Sequence, residues 1–107
     1  MNNVLSKEPT KFTASGIVHT GPCVFMGFLI GTDGVTDPVI TIYNNTAASG
    51  EEVVPTCTYD GSAYGLNGAT GLHQYCDKGL YIEITGTVEV VMQYAPYYPD
   101  GTLKWKG

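Results

Sequence analysis

The chain has 107 residues, with ten acidic side chains against five lysines, no arginine and a net charge of −5. That length is one domain, long enough to bury a core without metals or disulfides. The acidic balance and the lack of arginine argue against nucleic acid, which is gripped through basic patches, and against an anionic membrane surface.

Charged residues make up only 14% of the chain, where soluble domains average about 25%. A surface covered by partners has this composition, and so does one rich in Ser, Thr and Asn.

Met1 to Lys11 is polar, contains Pro9 and forms an arm, either loose or pairing at a sheet edge. It has no basic segment followed by an apolar run, so no signal peptide is expected. No stretch approaches the ~20 apolar residues of a membrane span. Phe12 to His19 is a strand, and "TGPC" is a turn. "CVFMGFLI", Cys23 to Ile30, is the longest apolar run, and its pattern is that of a strand covered on both faces. Gly27 inside it marks a bulge or a close backbone approach.

"GTDGVTDP" is a turn region centred on Asp33-Gly34. Val39 to Tyr43 alternates, with Ile40 and Ile42 on one face. "NNTAASGEE" is a polar loop. Its Asn44-Asn45-Thr46 glycosylation triplet carries no meaning without secretion. Glu52 to Tyr59 is a strand that Pro55 demotes to an edge or a bulge. Asp60 to Gly71, "DGSAYGLNGATG", reads as a long glycine-rich loop. His73 to Cys76 is a short strand.

Leu80–Thr85 and Thr87–Tyr94 form a predicted terminal hairpin turning at Thr85-Gly86-Thr87. Leu80, Ile82, Ile84, Val88, Val90 and Met92 face the core. Glu83 and Glu89 face out, and Val91 shares their side, an apolar residue among polar ones. From Ala95 the alternation stops.

The expected fold is therefore all-β, an antiparallel β-sandwich, jelly-roll-like, of seven to eight short strands. Residues 1–11 are the N-terminal arm, 12–94 the sandwich and 95–107 an aromatic C-terminal tail.

Chemistry is hard to find. His19 and Cys23 flank a turn, but no nucleophile-elbow motif surrounds them. His73 and Cys76 lie three apart on a strand and point to opposite faces, which defeats chelation, and no C-x₂-C pair exists. Asp33 and Asp37 lack the ligand density of a calcium loop and read as a solvated turn. Glu83 and Glu89, near neighbours if the hairpin pairs strictly, carry the solvent-side signature of a sheet rather than that of a glycosidase pair. Gly61, Gly65, Gly68 and Gly71 are followed by no Lys-Ser/Thr and no helix, so no nucleotide site is read there. No enzyme, metal or cofactor is expected. Cys23, Cys57 and Cys76 are free thiols by default, with an inter-strand or inter-subunit bridge left open.

Aromatic residues are the remaining lead, because tyrosine and tryptophan give large contact area at low entropy cost. Tyr97, Tyr98 and Trp105 in the tail, with Val91, are the candidate interface. Tyr59 and Tyr64 are the alternative ligand face.

The pattern "SGIVHTGPCVFMGFLIGTDG…PVITIYNNTAASGEEV…GLYIEITGTVEVVMQY" resembles a group of small proteins encoded in tailed bacteriophages and prophages. The matching positions are Val18 to Gly27, Val39 to Ser49 and Gly79 to Thr87. The likeness spans roughly residues 12–94 and stops before the tail. It implies a jelly-roll or Ig-like virion component, made in the host bacterial cytoplasm and residing in the virion. The implied role is capsid decoration (cement), with the protein itself as a homotrimer partner and the major capsid protein or another virion protein beneath it. A tail or fibre accessory protein and a carbohydrate- or receptor-binding module are the alternatives. The resemblance carries no catalytic residue over.

Overall fold

The computed structural model describes residues 10–62 and 67–96. They form eight strands: β1 (Thr10–Phe12), β2 (Gly16–Thr20), β3 (Cys23–Thr32), β4 (Val39–Tyr43), β5 (Glu52–Thr58), β6 (Asn67–Cys76), β7 (Gly79–Thr85) and β8 (Val88–Pro96). Two four-stranded sheets result, in the orders β1-β8-β3-β6 and β2-β7-β4-β5. Every pairing is antiparallel. Each strand of the first half pairs with its mirror counterpart in the second: β1 with β8, β2 with β7, β3 with β6 and β4 with β5. A double-length ribbon of this kind, wound until β3 also meets β8 and β4 meets β7, is a jelly roll. The expected fold class is the observed one.

Alternation decides what the sheets bury. Ile40 and Ile42 of β4, Leu80 and Ile82 of β7, and Val88, Val90 and Met92 of β8 close on Phe25, Phe28 and Ile30 of β3. Apolar side chains of this size each gain about 1.5–3 kcal/mol on full burial.

Three expectations change. First, β7 and β8 are not a hairpin: the chain turns at Gly86 but crosses from one sheet to the other. Both strands keep their apolar residues inward, so their alternation is the same whether the second strand lies beside the first or opposite it. Second, the strand expected at Phe12–His19 is two strands in different sheets. Between them Ser15 Oγ accepts from Ile84 N at 2.8 Å, fixing the bend against β7. Third, the glycine-rich stretch is strand from Asn67 onward. Gly68, at φ +130°, lets the Phe28 carbonyl approach where a side chain would block it. The pairing that makes β6 a strand therefore runs through the glycines that read as a loop.

Two finer expectations hold. Register shifts between Phe25 and Gly27 on both sides of β3. Pro55 lies on an edge strand where two residues, Pro55 and Thr56, stand against Thr41 alone. The both-face cover expected of Cys23–Ile30 is partial, since Met26 and Leu29 are half-buried on the outer side.

Candidate functional site

Four regions gather polar or apolar chemistry. The first is a polar hub at one end of the sandwich. Asn44, just past β4, is only 4% exposed. Its Nδ2 donates to Asp77 Oδ1 at 2.8 Å and to Glu51 Oε1 at 3.1 Å, and its Oδ1 accepts from Lys78 N at 3.0 Å. One amide thus ties the β4–β5 loop to the β6–β7 turn. The bond from Asn44 holds the Asp77 carboxyl below the usual carboxylate range, with Lys78 adding to it. Beside this turn, Cys23 and Cys76 are directly opposed across β3 and β6, and both are fully buried.

The second is an open cleft of about 480 Å³ lined by Thr13, Gly31, Thr32, Asp33, Gly86, Thr87, Val88 and Glu89. Several of its polar groups already serve the fold. Asp33 Oδ1 accepts from Val35 N and Thr36 N at 2.9 and 2.7 Å, which holds its carboxyl low. Thr32 Oγ1 donates to Gly61 O at 2.7 Å. Glu89 lies 3.7 Å from Lys11 Nζ.

The third is the outer face of the first sheet. In an antiparallel pair, opposed residues share a face. Lys11 opposes Val91, Val91 opposes Leu29, and Leu29 opposes Gly68, one row across the whole sheet. The rows on either side carry Gly27 with Gln93 and Gly31 with Glu89. Val91 and Leu29 are half-buried and flanked by glycines that raise nothing above the backbone. The result is a flat patch with an apolar, glycine-flanked centre and the exposed Lys11–Glu89 pair at its border.

The fourth is the outer face of the second sheet, where Ile17, Tyr81 and Tyr43 stand in one row. Tyr43 OH donates to Glu83 at 3.0 Å, and that bond chiefly raises the phenol's pKa. Thr41 and Thr56 hydroxyls meet at 2.8 Å.

The residues singled out from sequence fall as follows. His19 lies against the Tyr94 ring, 5.3 Å between centroids, while Cys23 stands directly opposite Cys76. His73 is exposed and Cys76 buried, and the β3–β6 register shifts between Thr70 and Gln74. Asp33 and Asp37 both serve turns, Asp37 accepting from Gly61 N at 2.8 Å. Glu83 and Glu89 lie in different sheets and are not the near neighbours a hairpin makes. Among the described residues no group of three or more His, Cys, Asp or Glu is placed to hold a metal ion. No helix among them is long and apolar enough to cross a membrane. Tyr59 is half-buried and packs edge-on to Phe28 at 6.4 Å, and desolvation leads the rise in its pKa. Tyr64, Tyr97, Tyr98 and Trp105 lie outside the described residues.

Sequence reasoning missed the Asn44 hub and the Cys23–Cys76 pairing, because both depend on which strands are neighbours. It found Val91 but not Leu29, whose place beside Val91 follows only from the register. Comparison of the chain with protein-family models, with curated proteins and with solved structures finds no match.

Proposed function

We propose that the protein is a structural bacteriophage virion component, a capsid decoration protein that binds and stabilises the assembled head. The observation that carries this reading is the flat Val91–Leu29 patch on one sheet of a jelly roll, a fold that viral capsid domains use repeatedly. The motif resemblance to phage proteins supports it independently of the patch. An apolar centre with charge confined to its border suits protein contact. Many copies on one shell gain avidity without any single strong contact.

The test uses the full chain and shells assembled from the major capsid protein encoded with it. Co-sedimentation should show saturable binding, and ultracentrifugation should show a homotrimer. Val91→Lys should lower shell binding by about tenfold or more while leaving melting within about 2 °C, since Val91 faces away from the core. A monomer that ignores the shells overturns the reading.

The half-buried Tyr81 on the outer face of the second sheet, beside exposed Ile17, favours one other reading, a carbohydrate-binding module, because lectin domains share the fold and a tyrosine ring suits a sugar face. Under it, Tyr81→Ala abolishes retention on a glycan array while Val91→Lys does not. An array without hits removes this reading.

A further inference from the structure

We propose that Cys23 and Cys76 are a dithiol built to close as a cross-strand disulfide, locking the edge strand β6 to the central strand β3. The two residues are direct partners in the β3–β6 register. Opposed Cα atoms in an antiparallel pair lie about 4.5 or 5.5 Å apart, and both spacings fall within the roughly 4.4–6.8 Å that a disulfide spans. Opposed side chains share a face, and here both enter the same core, each at 0% exposure. The two thiols share that core: Cys76 Sγ donates to Gln74 O at 3.7 Å, and the Cys76 thiol beside it, with burial, pushes the Cys23 thiol up.

The location gives the bond leverage. Cys23 and Cys76 form the end pair of the β3–β6 ladder, and Cys23 also opposes Pro96 at the end of β8. Asp77 and Lys78, which hold Asn44, follow Cys76 directly. A bridge there fixes the ends of three strands and the turn beside the polar hub. It also closes most of the domain into one loop, the case in which a cross-link restricts the unfolded chain most.

The oxidant is a small-molecule disulfide such as oxidised glutathione. Fraying of the ladder end, or closure during folding, exposes Cys76, whose thiol loses its proton to solvent. Its sulfur attacks one oxidant sulfur, forming a mixed disulfide and releasing one glutathione thiolate. Cys23 then loses its proton to solvent, and its sulfur attacks Cys76 Sγ, expelling the second glutathione thiolate. Two thiols have become one disulfide, and two electrons have reduced the oxidant to two thiols.

Cys57 is the exposed thiol of the three, so the test removes it. The full chain carrying Cys57→Ser is refolded in glutathione buffer with the oxidised form in excess. Alkylating Cys57 in the native wild-type chain gives the same sample by a second route. The expected product has no titratable thiol in denaturant, is lighter by two hydrogens, and yields a Cys23–Cys76 cross-linked peptide. Its melting temperature is higher by about 10 °C or more, and dithiothreitol reverses the gain. Adding Cys23→Ala and Cys76→Ala should leave a chain whose melting does not respond to oxidant. Two titratable thiols after refolding, glutathione adducts left on Cys23 or Cys76, or covalent dimers would overturn the proposal.

Discussion

Gly27→Ala is expected to destabilise the protein by about 3 kcal/mol. Gly27 lies inside β3 at φ +149°, a conformation that L side chains rarely adopt. A Cβ there would overlap the Ala69 carbonyl oxygen and stand 2.9 Å from Thr70 Cα, both backbone atoms of β6. No rotamer relieves that contact. Either β6 separates from β3 or the register slips, and β3 is the strand that both β6 and β8 depend on. Gly34→Ala is the matched control. It also has a positive φ, +85°, but nothing lies within 4 Å of the added methyl. Its cost is conformational alone, about 1 kcal/mol. Denaturant titration of both variants separates the overlap from the strain. Equal losses would show that the close approach of β6 contributes nothing.

The same position shows what the sequence made legible. A glycine within "CVFMGFLI" announced a bulge or a close approach, and both are present, because few other reasons put Gly in a buried strand. Val39–Tyr43 was readable to the residue, since strict alternation between clear turn signals leaves no other reading. Pro55 pointed to its edge because a central strand cannot spare the N–H that proline lacks. What stayed hidden depends on neighbours rather than on local pattern. Leu80–Ile84 and Val88–Met92 have the same inward alternation in a hairpin and in a crossing between sheets. Gly68 and Gly71 read as loop because propensity counts what a residue prefers, while β6 is held by what β3 offers it.

The candidate sites follow the same division. Val91 was visible as an apolar residue out of phase with Glu89 and Gln93. The patch it belongs to was not, because Leu29 and Gly68 join it only through pairings that span the chain. Tyr59 was visible as an aromatic beside a loop, and its contact with Phe28 was not. Asn44 lay within a stretch read as a polar loop, where an asparagine attracts no notice. Burial is what makes it matter, and burial there comes from the meeting of two distant connections.

Asn44→Ala is accordingly expected to cost about 2–3 kcal/mol, far more than the ±0.5 kcal/mol of an ordinary loop substitution. The truncation removes the acceptor of Lys78 N and the donor shared by Asp77 and Glu51. The Lys78 amide then loses its partner at a part-buried site, and the two carboxylates face one another without the amide between them. Asn44→Asp should do no better: it keeps an acceptor for Lys78 N but sets a third carboxylate against Glu51 and Asp77. The pH profile identifies the mechanism. Asp77 has a lowered pKa in the folded protein, chiefly through its bond from Asn44. Its contribution is therefore present above the unfolded carboxylate value near 3.8 and is lost as pH falls through the lower folded value. Wild type should lose stability on acidification through this window. Asn44→Ala should start lower and fall less, because without the amide Asp77 titrates close to its unfolded value. Thermal melts from pH 7 down to about 2.5 measure the difference. Parallel acid limbs in the two proteins would show that the Asn44–Asp77 bond does not hold the turn.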